Sequence, residues 1–218
     1  NRLAEARVAI VGCGSLGAGV AQFLVQSGVG SLKLIDNERL GWENIGRHVL
    51  GANDVGNFKV EALTRHLCAT FPQVKSIAGI SKSIQVALFD NPAFLDDSDL
   101  VISATGDWSA DLAVEAHLRS RREARFATLY GWMETNACAA HALLCPRDGP
   151  HFSEGFDAFG APILTATVST LAPPAECGAG ASQYGSIELA NSQALVAGLA
   201  LAALLAETSG TVWRTWLA

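Results

Sequence analysis

Apolar and polar positions along the first 130 residues follow two alternating rhythms. Residues 7–11 (Arg7-Val8-Ala9-Ile10-Val11) are a nearly continuous apolar run bounded by Gly12, the pattern of a strand buried on both faces. Residues 15–27 then place Leu16, Val20, Phe23 and Leu24 on one helical face, and Gly28 stands where a helix stops. A second strand is predicted over 31–35, ending at Asp36. A helix over 58–70 carries Leu63 and Leu67 in its apolar stripe, and a third strand covers 74–80. The fourth strand, 100–104, has Thr105-Gly106-Asp107 at its carboxyl end. A helix over 109–122 (Leu112, Val114, Leu118) and a fifth strand over 126–130 complete the alternation. Strands that alternate with helices in this way predict an α/β domain with a parallel sheet flanked by helices.

The rhythm changes after about residue 136. Residues 137–144 and 163–169 read as strands with no helix of useful length between them, so an antiparallel extension of the sheet is expected. Pro173-Pro174 opens a loop that runs through Cys177-Gly178-Ala179-Gly180, and 187–207 predict a long closing helix. There is no internal repeat and no low-complexity linker.

The length of 218 residues suits one large domain. Charged residues are only 17% and mean hydropathy is +0.26, which points to an apolar surface covered by a second subunit or a neighbouring domain. Fifteen basic against 21 acidic residues give a net charge of −6, and with no basic block the chain does not read as a nucleic-acid binder. The five cysteines (Cys13, Cys68, Cys138, Cys145 and Cys177) are odd in number and none has C-x-x-C spacing. That argues against a disulfide framework or a four-cysteine zinc site and suits a reducing cytoplasm. His66, His117, His141 and His151 form no metal-binding spacing. No signal peptide is visible, and the most apolar run, 194–206, is shorter than the roughly 20 residues a bilayer requires. No membrane partner is expected. The chain begins at Asn1 without methionine, as expected of a piece cut from a longer protein.

Gly12-x-Gly14-x-x-Gly17 lies between a predicted strand and a predicted helix, the context the motif needs. Glycines let backbone approach a phosphate, and the helix N-terminus offers N–H groups and positive potential. Asp36 follows about 20 residues later at a strand end, placed to accept hydrogen bonds from ribose hydroxyls. The alternative is a tight turn serving helix–sheet packing alone. With strand, helix and acid in place, nucleotide binding on a Rossmann-like sheet is the stronger reading. The loop does not specify the nucleotide.

Asn44 and Arg47 follow in Asn44-Ile45-Gly46-Arg47, and Lys59 in Gly56-Asn57-Phe58-Lys59. This order of strand-end acid, N-x-x-R and G-x-x-K resembles the ThiF/MoeB family, the ancestral relatives of ubiquitin-activating enzymes. The resemblance covers most of the chain and is strongest over 8–62. It implies a single ThiF-type adenylation domain over 1–218, which uses ATP and magnesium to adenylate the C-terminal glycine of a ubiquitin-like or sulfur-carrier protein. In that reading Arg47 and Lys59 neutralise the phosphates and the departing pyrophosphate, and Asn44 orients a phosphate without adding charge. Asp107 is the candidate magnesium ligand. The family usually reads Thr-Asp here, whereas this chain reads Thr105-Gly106-Asp107, so either Gly106 or Asp107 takes the ligand position. The plainer alternatives are solvated surface cations for Arg47 and Lys59 and a helix N-cap for Asp107.

Ubiquitin-activating relatives pass the acyl group from the adenylate to a cysteine. Cys177, in a Pro- and Gly-rich loop, is the best candidate. Cys13 lies in the phosphate loop, Cys68 on a helix, and Cys138 and Cys145 read as packing residues. Tyr130-Gly131-Trp132-Met133-Glu134-Thr135-Asn136-Ala137, Cys177-Gly178 and Gln183-Tyr184-Gly185-Ser186-Ile187-Glu188-Leu189 resemble a bacterial branch of the family that works in antiviral defence operons. That branch acts with a conjugating enzyme, sometimes fused upstream. The missing zinc-binding C-x-x-C pairs favour this branch over sulfur transfer. Relatives are dimers, which implies a homodimer. His48, beside Arg47, is placed to touch phosphate or simply to pack. Trp132 is placed to line a channel for the incoming tail or to sit in the core, and Trp213 and Trp216 to pack on a neighbouring subunit or domain. The competing readings are a sulfur-carrier adenylyltransferase, an NAD-binding oxidoreductase, which leaves Asn44, Arg47 and Lys59 unexplained, and a non-catalytic scaffold.

Overall fold

The computed structural model describes residues 2–121, 123–124, 126–157, 162–163, 185–208 and 210–218. Among the described residues seven strands, β1 (Arg7–Val11), β2 (Ser31–Ile35), β3 (Ser76–Ile80), β4 (Leu100–Ser103), β5 (Ala127–Met133), β6 (Ala139–Cys145) and β7 (Val212–Leu217), form one sheet in the order β3-β2-β1-β4-β5-β6-β7. The described helices are α1 (Arg2–Glu5), α2 (Ser15–Gln26), α3 (Lys59–Thr70), α4 (Ile84–Asp90), α5 (Trp108–Ser120) and α6 (Ser186–Leu204). The strands β3-β2-β1-β4-β5 are parallel, and β5-β6 and β6-β7 are antiparallel. This is the expected Rossmann-like sheet with an antiparallel extension beyond residue 136.

Alternate residues of the central strands enter different cores, which is why those strands carry no polar stripe. Val8 and Ile10 of β1 join Leu34, Ile102 and residues of α2, α3 and α6 on one face. Ala9 and Val11 join Ile35, Val101 and residues of α4 and α5 on the other. A third, aromatic core lies under the antiparallel part, where Tyr130 stacks on Phe152 at 4.2 Å.

Three features were not read from the sequence or were read differently. The short helix α4 was not predicted. Strand β7 was not predicted either, and Trp213, half-buried, packs against aromatic residues of this chain. Its ring contacts Trp132 and Phe156, because pairing of β7 with β6 carries it over the aromatic core. Trp216 of β7 stands opposite Ala140 in the same pairing. The apolar run 194–206 belongs to the 19-residue α6, which by length and composition alone could cross a membrane. Here α6 packs on α2 and β6, and Val196, Leu199 and Ala200 enter the shared core. The strand expected over 163–169 falls almost wholly outside the described residues, as does the loop through Pro173, Pro174 and Cys177.

Candidate nucleotide site

The order of the parallel strands reverses between β1 and β4, and ligands of such sheets bind at the carboxyl ends of the strands beside that reversal. The loop from Gly12 to Gly17 follows β1 there. Gly12 has φ +87°, and a Cβ there would stand 2.8 Å from the Ala104 carbonyl oxygen, so the loop lies directly on the end of β4. A Cβ on Gly17 would stand 1.9 Å from the Gly12 carbonyl oxygen, which brings the first turn of α2 hard against the loop. Gly14, the N-cap of α2, has nothing within 4 Å of its Cβ position. The first turn of α2 carries no acidic residue of its own.

Asp36 binds the loop as well as standing beside it. Its Oδ2 accepts from the Cys13 N–H at 2.7 Å and its Oδ1 from the Glu38 N–H at 2.7 Å. Burial pushes the Asp36 carboxyl above its ordinary range, and the two N–H donors and Lys59 oppose the shift. Each carboxylate oxygen has a further lone pair, so ribose hydroxyls can still be accepted.

Lys59 opens α3 and is only 5% exposed, with its ammonium on the Glu38 carboxylate. It is not the solvated surface cation that its residue type would suggest. Arg47 is half-buried at the end of the 3-10 turn Trp42–Arg47. Asn44 in that turn accepts the Gly41 N–H through Oδ1 at 2.9 Å and so shapes the turn. The segment is tied to the phosphate loop by His48, whose Nε2 lies 2.8 Å from the Cys13 carbonyl oxygen. The loop, Asp36, Glu38, Lys59 and the segment of Arg47 therefore form one connected hydrogen-bonded unit.

Asp107 is the N-cap of α5, its Oδ1 accepting from the Ser109 N–H at 2.8 Å. Gly106 has φ +65°, a left-handed turn that suits glycine and accounts for the extra residue between Thr105 and Asp107. Asp107 is exposed at the carboxyl end of β4. Magnesium is commonly held by one or two carboxylates together with substrate phosphates, so an exposed carboxylate just beyond Ala104 and Thr105, which Gly12 approaches, fits that donor set. Among the described residues no cluster of three or more potential metal ligands occurs.

One turn further on, Asp111 accepts the Ser103 hydroxyl at 2.5 Å. Burial pushes its carboxyl up to about 6, the Ser103 bond opposes this, and the Asp107 charge adds to it. The folded state thus holds a proton that the unfolded chain releases near pH 4. Stability falls as pH rises from about 4 to about 6 and stays at the lower level above that. Asp111→Asn keeps an acceptor for Ser103, so it should flatten this decline and stabilise the chain at pH 7.5 by ~2 kcal/mol. Melting temperature against pH, without nucleotide or divalent cation, checks this; parallel profiles for the two proteins would refute it.

Two contributors were not read from the sequence. Glu38 partners Lys59. Gln193 of α6 donates to the Ser15 carbonyl at 2.7 Å, lying across Gly19, where a Cβ would come within 2.1 Å of the Gln193 side chain. Gln193 closes the short polar run Asn191-Ser192-Gln193 ahead of an otherwise apolar helix, and that run was the available signal. Trp132 stacks on the fully buried His141, whose Nε2 lies 2.9 Å from Glu134 Oε1. Cys138 is half-buried with its thiol 3.9 Å from the other Glu134 oxygen, and Cys145 is buried. Cys177 lies outside the described residues.

The sheet order and the strand–loop–helix start define a domain of the Rossmann-like class. Residues 1–163 match the ThiF family, and the chain belongs to that family. It is 35% identical over 146 residues to the ATP-dependent ubiquitin transferase-like protein Cap2 of Pseudomonas aeruginosa, a match covering 65% of this chain and 25% of that protein. It is 43% identical over 54 residues to the sulfur carrier protein ThiS adenylyltransferase of Bacillus subtilis, covering 25% of this chain and 16% of that one. The crystal structure of Escherichia coli MccB with ATP superposes with a TM-score of 0.67 at 18% identity, over 100% of this chain and 64% of MccB. This last likeness is one of fold. The chain spans only a quarter of the length of the Cap2 protein.

Proposed function

We propose that this chain uses ATP and magnesium to adenylate the C-terminal glycine of a ubiquitin-like protein and then takes the acyl group onto Cys177. The reading is carried above all by the buried Lys59 beside the phosphate loop, joined with Asp36 and the Arg47 segment in one network. An NAD site has no need for a buried lysine at this place. A reaction between a carboxylate and a triphosphate brings two anions together and does need one.

An oxygen of the terminal carboxylate attacks the α-phosphorus, the bond to the bridging oxygen breaks, and pyrophosphate leaves past Arg47 and Lys59. Asp36 holds the ribose and Asn44 the turn that presents Arg47. Asp107 would hold magnesium, which would supply positive charge to screen the phosphates. The Cys177 thiolate then attacks the acyl carbon, AMP leaves, and a thioester remains for transfer to a conjugating enzyme. The proposal includes a homodimer and a cytoplasmic setting. Trp42, 70% exposed, and Ile187, 73% exposed, support a covered surface. The ThiS adenylyltransferase relative supports a second reading, adenylation of a sulfur carrier without the thioester on Cys177.

Calorimetric titration with ATP·Mg and separately with NAD is the test. ATP should bind, Arg47→Ala should weaken it at least tenfold, and NAD should not bind. NAD binding indifferent to Arg47 would sink the reading. With ATP and a glycine-terminated ubiquitin-like protein supplied, Cys177→Ala should keep pyrophosphate release and lose the thiol-sensitive adduct. If no such adduct forms with the wild type, the sulfur-carrier reading takes precedence.

A further inference from the structure

His48 has a defined protonation state and a defined target. Its Nδ1 lies 3.0 Å from the Leu50 backbone nitrogen and its Nε2 lies 2.8 Å from the Cys13 carbonyl oxygen. A backbone N–H can only donate, so Nδ1 accepts. A carbonyl oxygen can only accept, so Nε2 carries the hydrogen and donates. The ring is therefore a neutral imidazole with a single tautomer. Its partial burial agrees with this, holding its pKa below the ordinary value. The charged groups around it are Lys59, which lowers that pKa further, and Asp36 and Asp54, which oppose.

The consequence falls on the phosphate loop. The peptide unit between Cys13 and Gly14 is planar and trans, so its carbonyl and its N–H point in opposite directions. His48 holds the carbonyl to one side. The Gly14 N–H is thereby turned to the other, at a residue whose Cβ position has nothing within 4 Å. The preceding peptide is fixed too, because the Cys13 N–H donates to Asp36. Both peptides of Cys13 are thus held from outside the loop, one by a carboxylate and one by an imidazole.

We infer that His48 is a positioning residue for nucleotide phosphates: it fixes the Cys13–Gly14 peptide so that the Gly14 N–H faces the anion. The inference rests on the ATP reading above. His48 does not touch phosphate. It acts through the loop, and it couples the placement of Arg47, the preceding residue, to the placement of the loop.

Three substitutions and two ligands test it. His48→Gln retains both bonds in principle, since an amide N–H can donate to Cys13 and the amide oxygen can accept from Leu50. His48→Leu fills similar space and makes neither bond. ATP·Mg and adenosine are titrated against each protein, adenosine by displacement of a fluorescent ATP analogue. The leucine variant should bind ATP about tenfold or more weakly with adenosine affinity unchanged, and the glutamine variant should bind ATP within about threefold of wild type. If the leucine variant does not fold, His48→Met replaces it. Equal loss of ATP and adenosine affinity, no loss of either, or failure of glutamine to rescue would overturn the inference. Should the wild type bind no ATP at all, the ATP reading itself fails. That outcome is distinct from a wild type that binds ATP alongside variants that bind it equally well.

Discussion

Gly17→Ala is expected to lower thermal stability and to weaken ATP binding by about two orders of magnitude. In the interior of a free helix alanine is better than glycine by roughly 1 kcal/mol, so propensity alone predicts a gain. The observed geometry reverses the sign. A Cβ at residue 17 would stand 1.9 Å from the Gly12 carbonyl oxygen, and that neighbour is backbone, with no flexible end to swing away. The helix α2 must shift by more than an ångström, and overpacking of this kind costs about 1–3 kcal/mol. The shift also separates the helix N-terminus from the loop, and a displacement of about 1 Å at a reacting centre commonly costs about a hundredfold. Gly14→Ala is the natural control. Its Cβ meets nothing within 4 Å and its φ of −74° suits any residue, so its stability should fall only by the roughly 0.5–1 kcal/mol that alanine costs at an N-cap. Differential scanning calorimetry and ATP titration on both variants decide the matter. A Gly17→Ala protein with wild-type melting and affinity would mean that the loop and α2 are not in contact.

Lys59→Met is expected to leave the fold intact and to remove most of the adenylation activity. The lysine stem is buried at the start of α3, and methionine fills much the same space. Its partner, Glu38, has a side chain 65% exposed, so losing the lysine leaves that carboxylate in water and not in the core. The stability change should accordingly stay within about 1 kcal/mol. Chemistry is another matter. A cation aimed at charge that develops on a leaving group typically contributes a factor of about 10²–10³ in rate. ATP–pyrophosphate exchange should fall by that factor while the melting temperature barely moves. An exchange rate equal to wild type would show that Lys59 only holds Glu38.

Much of this site was legible in the chain because its signals are contiguous. The strand Arg7–Val11, the glycines and the helix that starts at Ser15 form one unbroken stretch, and each reinforces the others. The strand end at Asp36 follows from the same local reasoning. Arg47 and Lys59 were legible only as a spacing, since nothing near them in sequence says that Lys59 is buried or that Glu38 meets it. The tie from His48 to Cys13 spans 35 residues and that from Gln193 to Ser15 spans 178. Neither follows from any local pattern. Strand β7 escaped for a related reason. Val212-Trp213-Arg214-Thr215-Trp216-Leu217 is a short mixed segment whose partner, β6, lies some 70 residues earlier, and only that pairing brings Trp213 against Trp132.

The sequence by itself determined the parallel alternation of strands and helices, the turn to antiparallel pairing after residue 136, the glycine loop between β1 and α2 and the family resemblance. It could do so because strand and helix burial repeat with fixed periods, and because a loop glycine is read from its immediate neighbours. Only the tertiary structure decided which faces of β1 enter which core, that Trp213 packs against the aromatic core of this chain, and that Asp36 and His48 hold the two peptides of Cys13. Those outcomes depend on which donor meets which acceptor across the sheet. That meeting is set by packing between segments far apart in the chain, and no local periodicity records it.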